Sequence, residues 1–247
     1  MRKYTKTGEK RYSVLSRKGF FTRPVLVHET VESRRKKSNL AGKVLKPHKP
    51  LMTPAHAAET KAKVIEYISL LGEAGVLVHP TKIVIIPTKV RGKVQLNFVQ
   101  DLIPKHFILN SYLKYCSKEE AISAFTKTLN IFEKIKAYSK PGRMLGIDSS
   151  LINLAVVNGK IVLIDIYPPF IKNKFELTGK EHSREMRNPL FRWAAKTFPT
   201  IATRLANRVV DSRFDMPYRR SELLRHFSRA RPELRSELEQ IIGLTHS

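Results

Sequence analysis

The sequence predicts an α+β fold in two lobes: a β-rich N-terminal lobe with one long helix, then a mainly helical C-terminal lobe that carries a β-hairpin. Three observations lead there. Apolar runs of strand length, separated by turn residues, fill most of the first hundred positions, and one segment among them, opened by Thr53 and Pro54, is made of good helix formers. From Ser117 a long stretch keeps its apolar residues at helical intervals. Two short apolar runs joined by Asn158 and Gly159 follow it. The lobes are accordingly placed at 1–103 and 104–247.

Residues 11–29 read as two β-rich segments around a turn at Ser16, Arg17, Lys18 and Gly19. A short strand follows, ending at Pro47. Thr53 is the expected N-cap. Pro54 suits the first helical position, where its absent N–H would have had no intrahelical acceptor, and helix formers continue to Gly75. Two further strands are expected to turn at Val90, Arg91, Gly92 and Lys93. Ser117 and Glu120 have capping-box spacing and open a helix that ends before Pro141 and Gly142. Asn158 and Gly159 both tolerate positive φ, which is what a type I′ hairpin turn needs. From about Asn188 the chain reads as Arg-rich helices broken near Pro199, Pro217 and Pro232.

The chain of 247 residues, 42% hydrophobic, is long enough for a sizeable core. It has no run of eighteen apolar residues and its N-terminus is basic and polar, so the reading is a soluble, cytoplasmic protein without a membrane partner. The single cysteine, Cys116, has no intramolecular disulfide partner, and no Cys/His spacing of zinc type is present. Cys116 is expected to be a bystander. The net charge of +25, from 46 Lys+Arg against 21 Asp+Glu, implies a polyanionic partner. The first 50 residues hold 15 basic and 3 acidic side chains, with a cluster at Arg34, Arg35, Lys36 and Lys37. Such clustering favours a binding surface over diffuse charge.

The chemistry is carried around the Asn158–Gly159 turn. Asn153 follows Asp148 by five positions, and Asp165 lies twelve residues further on. Folding the hairpin sets the run Leu154–Val157 beside residues 161–164, and so brings Asn153 and Asp165 to the same end. An amide and a carboxylate form an oxygen-only pair that suits Mg²⁺, which takes the rest of its shell from water and substrate phosphates. Asp148 stands just ahead of them as a base able to orient an attacking hydroxyl.

Asp-Ser-Ser-Leu-Ile-Asn at 148–153 and Leu-Ile-Asp at 163–165 resemble the D-x-x-x-x-N segment and the metal-binding Asp of protein kinases and their relatives. Gly146 and Ile147 stand where that family has His-Arg, and Ile166 and Tyr167 where it has Phe-Gly. The chain therefore looks more like the compact, atypical members, the RIO kinases and the aminoglycoside and choline phosphotransferases. Ile-Asp-Ile-Tyr-Pro-Pro at 164–169, with no long activation segment, is most similar to the RIO type. The resemblance implies a compact protein-kinase-like fold that uses ATP and Mg²⁺, with Asp148 as catalytic base and Asn153 and Asp165 as metal ligands.

It also implies ATP-binding residues in the first lobe. Lys46 is the candidate for the nucleotide phosphates, with Lys43 and Lys49 close by in sequence, and its helix carboxylate is either Glu59 or Glu66, the latter favoured. The turn with Ser16, Lys18 and Gly19 stands where the family has its Gly-rich loop, and Gln100, Asp101 and Leu102 where it holds adenine. For the acceptor, a +25 charge opposes a cationic antibiotic and suits RNA. Arg187, Arg192, Arg219 and Arg220, interleaved with Phe191, Trp193 and Tyr218, extend the expected RNA-binding surface of Arg34, Arg35, Lys36 and Lys37. The leading expectation is a kinase resembling the compact archaeal-type enzymes that phosphorylate a ribose 2′-hydroxyl in tRNA. The alternatives are a RIO-like protein kinase associated with ribonucleoprotein and a non-catalytic RNA-binding pseudokinase.

Overall fold

The computed structural model describes residues 12–15, 24–28, 40–48, 51–139, 144–148, 150–167, 169, 171–172 and 216–243. They form an α+β fold with a five-stranded antiparallel sheet, two two-stranded pairs and several helices. The described residues fall into two compact units. The first takes in those before Val64 together with Pro80–Leu102, and the second takes in Val64–His79 and those after Leu102.

In the first unit β1 (Tyr12–Val14) and β2 (Val25–Val27) form the expected hairpin, with Tyr12 opposite Val27 and the Leu15 N–H donating to Pro24 O at 2.9 Å. Its turn, with Ser16, Lys18 and Gly19, lies outside the described residues. Next come β3 (Lys43–Pro47), β4 (Thr81–Pro87) and β5 (Val94–Asp101), and the sheet order is β1-β2-β3-β5-β4. The β4–β5 turn is built where the sequence places it. Gly92 has φ +69°, and Thr88 Oγ1 donates to Lys93 O at 2.8 Å. Val25, Val27, Leu45 and Val99 bury one face of the sheet, with Tyr12, Leu40 and Val84 packed against them. Directly paired residues share a face, so Lys46 stands with Phe98, and Val44 with Gln100, on the other.

Helix α1 (Pro54–Glu73) begins as expected, with Thr53 Oγ1 accepting from the His56 N–H at 3.3 Å. Its end is a Schellman motif. Gly75, at φ +73°, donates to Gly72 O at 2.9 Å while Val76 donates to Leu71 O at 2.8 Å. Val64–His79 belongs with the second unit. Long-range hydrogen bonds put it there, as described below.

The second unit contains α2 (Leu109–Tyr112), α3 (Lys118–Tyr138), the pair β6 (Met144–Leu145) and β9 (Ile171–Lys172), the hairpin β7 (Leu154–Val157) and β8 (Lys160–Leu163), and the helices α4 (Met216–Ala230) and α5 (Arg235–Ile241). The capping box on α3 is complete. Glu120 N–H donates to Ser117 Oγ at 3.1 Å, and Ser117 N–H donates to Glu120 Oε2 at 2.8 Å. Asn158 (φ 49°) and Gly159 (φ 71°) make the expected β7–β8 turn. Phe125 of α3 meets Phe227 of α4 edge to face at 5.1 Å, and both are fully buried. Pro217 is the second described residue of α4, a position where a missing N–H sacrifices little intrahelical bonding. Pro232 starts a 3₁₀ turn, Pro232–Leu234, ahead of α5.

Among the described residues no helix is long and apolar enough to cross a membrane.

Candidate functional site

The segment from Leu145 to Asn153 is fixed at successive points. Leu145 pairs with Ile171 and donates its N–H to Ser139 Oγ at 3.1 Å, just past the end of α3. One residue on, the Gly146 carbonyl accepts from the hydroxyl of Tyr67, a buried side chain of α1, at 2.6 Å. Ile147 is fully buried and Leu151 nearly so, so the chain is held on both sides of Asp148 by apolar anchors. Asp148 itself is half-buried. Its Oδ1 accepts the Ser150 N–H at 3.0 Å, an Asx-type turn that orients the carboxylate. The chain then enters a 3₁₀ turn, Leu151–Asn153, closed by the Asn153 N–H on Ser150 O at 2.9 Å.

Asn153 and Asp165 are set by the hairpin. Leu154 pairs with Leu163, and the Ile164 N–H donates to Asn153 O at 2.8 Å, which extends the ladder one step. Asp165 is the next residue. The other edge of β8 is also held: Leu163 donates to Leu77 O and accepts from the His79 N–H, each at 2.8 Å. The approach to Asp165 is therefore clamped between Asn153 on one side and the segment after α1 on the other. Asn153 is buried and Asp165 half-buried. This explains the unit division, since Tyr67, Leu77 and His79 all bond into the hairpin or the loop before it. Two surface contacts add to it, the Tyr138 hydroxyl on Glu73 and Lys134 Nζ on Gly75 O at 3.1 Å.

Asn153 and Asp165 come to the same end of the hairpin, where they could offer an amide oxygen and a carboxylate to a hard cation such as Mg²⁺. Among the described residues no three His, Cys, Asp or Glu side chains converge on a point. Cys116 is half-buried, and burial raises its thiol above the ordinary value. The guanidinium of Arg231 donates to Cys116 O at 3.0 Å and Leu113 O at 3.3 Å.

The other predicted residues separate into three groups. In the first unit Lys46 is half-buried on β3 opposite Phe98. Gln100 lies inside the sheet between Val44 and Thr81 and donates its side-chain N–H to Thr81 Oγ1 at 2.7 Å. Its backbone is flanked by strands on both edges. Asp101 is exposed and ion-paired with Lys43, and Leu102 is exposed beyond the strand end.

Glu59 is exposed and accepts Lys63 at 2.7 Å with His56 at 3.9 Å, and the Lys63 hydrogen bond and charge hold its carboxyl below the usual range. Its carboxylate is thus committed within its own helix, whereas Glu66, in the second unit, is half-buried. The Arg220 guanidinium pairs with Glu133 and ties α4 to α3. Ser16, Lys18, Gly19, Arg34, Arg35, Lys36, Lys37, Arg187, Arg192 and the Arg219 side chain lie outside the described residues.

Sequence reasoning misses two features. Tyr67 is one of several apolar positions on α1, and nothing local marks its hydroxyl as the support of a loop 79 residues away. The segment bearing Lys89, Arg91 and Lys93 reads in sequence only as a turn. All three cations are exposed, no ion pair engages them among the described residues, and the sequence holds no acid between Glu73 and Asp101. An acid-free interval of that length is the signal that could have found them.

The model of a family of unknown function, DUF6206, matches residues 3–240, and the chain belongs to that family. No curated protein matches the chain.

Proposed function

We propose that this member of DUF6206 is an ATP- and Mg²⁺-dependent kinase that transfers the γ-phosphoryl group to a hydroxyl of RNA, with the ribose 2′-hydroxyl of tRNA as the favoured acceptor. The observation that carries the reading is the braced constellation in the second unit. Asp148 is oriented by the Ser150 N–H, while Asn153 and Asp165 stand one register step apart at the end of a hairpin clamped on both edges. Catalysis of phosphoryl transfer is mostly positioning and electrostatics, so rigid placement of these groups is what the chemistry asks for. The accompanying fold reading is a compact two-lobed kinase-like architecture. The chain order supports it: antiparallel strands, helix α1, two strands, helix α3, and then the loop and hairpin with the acidic groups.

In this mechanism the acceptor hydroxyl lies against the Asp148 carboxylate, which takes its proton as the oxygen attacks the γ-phosphorus. The bond from that phosphorus to the bridging oxygen of ADP breaks. Asn153 and Asp165 would hold Mg²⁺, which when bound neutralises charge on the β- and γ-phosphate oxygens. Lys46 is the nucleotide-phosphate cation of the reading. RNA is favoured as acceptor by the +25 charge, and the cations assigned to its phosphates include Lys89, Arg91 and Lys93 as well as Arg34, Arg35, Lys36 and Lys37. Incubation with γ-labelled ATP, Mg²⁺ and either bulk tRNA or ribosomal particles tests the acceptor. Label in tRNA that maps to a 2′-phosphate supports the reading, and label confined to protein replaces it with a RIO-like protein kinase.

A further inference from the structure

Residues 105–115 pass through a 3₁₀ turn, Lys105–Phe107, and then α2. Three positions pin the segment down. Ile108 bridges Ala155 of β7, two residues after Asn153, and Leu109 and Leu113 are fully buried. Helix α2 packs on the 3₁₀ turn Leu151–Asn153 itself. With those positions turned inward, the segment presents Lys105, His106, Phe107, Lys114 and Tyr115 to solvent.

Phe107 is 40% exposed and Tyr115 81% exposed, apolar area that the fold leaves in water beside the candidate catalytic loop. The His106 and Phe107 rings lie 4.2 Å apart. Charge completes the pattern. No acidic residue occurs from Leu102 to Lys118, and neither Lys105 nor Lys114 has an ion-pair partner among the described residues. Open aromatic faces flanked by lysines suit unpaired nucleotides, whose bases stack while their phosphates take the cations. A duplex keeps its bases stacked inside and has no use for the rings. Resting on the RNA-kinase reading above, we propose that residues 105–115 form a platform for single-stranded acceptor RNA, with Phe107 and Tyr115 stacking on bases and Lys105 and Lys114 contacting phosphates.

The test uses the full chain and a fluorescent oligo(U) 12-mer, with Phe107→Ala, Tyr115→Ala, Phe107→Tyr and Tyr115→Phe. Each alanine change is expected to weaken oligo(U) binding roughly 5- to 100-fold, the size of one lost base–aromatic stack. The aromatic replacements should keep wild-type affinity. Thermal midpoint and ATP affinity should stay unchanged in all four, and a 12-bp RNA duplex should compete poorly with oligo(U). Undiminished oligo(U) affinity in the alanine variants overturns the platform, as does equal competition by the duplex. Phosphoryl transfer by the wild type is scored separately. Transfer to tRNA with unchanged oligo(U) affinity in the variants removes the platform and leaves the kinase. Weakened oligo(U) binding with no transfer from the wild type keeps the platform and removes the kinase.

Discussion

Replacing Tyr67 by Phe removes one oxygen and leaves the ring in place. In the wild type that oxygen donates to Gly146 O at 2.6 Å from a residue only 1% exposed, two positions ahead of Asp148. The ring packing is kept, so no large cavity opens and the loss falls on what the hydroxyl bonds. A net contribution of about 1 kcal/mol is lost with the bond, and the stranded carbonyl raises the cost toward the roughly 1–3 kcal/mol of a buried unsatisfied group. We expect about 2 kcal/mol, a fall in thermal midpoint of roughly 4–8 °C for a chain of this size.

The effect on activity should exceed the effect on stability. Gly146 is part of the path that places Asp148, and a displacement of about 1 Å at such a point can cost roughly 10²-fold in rate. The kcat for RNA phosphorylation should fall ten- to a hundredfold while the KM values for ATP and tRNA change little. Differential scanning fluorimetry and steady-state kinetics give both readouts. A Tyr67→Phe protein with wild-type midpoint and kcat would refute the claim that Tyr67 supports the loop.

Other changes probe separate parts of the account. Asp165→Asn should raise the Mg²⁺ concentration for half-maximal transfer at least about tenfold, the scale on which metal sites respond to altered ligation, without changing tRNA affinity. An unaltered Mg²⁺ titration would remove Asp165 from the metal set. Changing Lys89, Arg91 and Lys93 together to Ser should lower the slope of log affinity for tRNA against log salt by roughly 2–3, close to one unit for each phosphate left without its cation. If the slope holds, the hairpin tip is only a solvated turn. Because burial raises the Cys116 thiol, less of it is thiolate at pH 8 than for a free cysteine, so alkylation by iodoacetamide should be slower than for glutathione and should rise with pH. Alkylation as fast as glutathione at pH 8 would contradict that environment.

What is legible in the sequence is local. Thr53 and Pro54, Ser117 with Glu120, and Asn158 with Gly159 each act over a few residues, and each stands in the structure where its chemistry places it. That Asn153 and Asp165 come to the same end of the hairpin is legible for the same reason, since a two-residue turn leaves the two strands one register. What depends on distant partners is not. Arg220 looks like a spare cation until Glu133, 87 residues earlier, is placed against it. Glu59 and Glu66 lie two turns apart on one helix and only tertiary structure separates them, one exposed with Lys63 and the other half-buried. Gln100 ends an apolar run in sequence, yet it sits between two strands because β4 pairs along almost the whole of β5. The assignment of Val64–His79 to the second unit likewise rests on bonds from Tyr67, Leu77 and His79 to residues more than seventy positions away.

The central claim is that Asp148 takes the acceptor proton in phosphoryl transfer. Single-turnover transfer from γ-labelled ATP to tRNA, measured for wild type and Asp148→Ala with ATP and tRNA binding determined on the same preparations, tests it most directly. The account predicts a wild-type burst of label in RNA, at least about a hundredfold slower transfer in the variant, and near-equal binding of both ligands. Transfer at the wild-type rate by Asp148→Ala would contradict it.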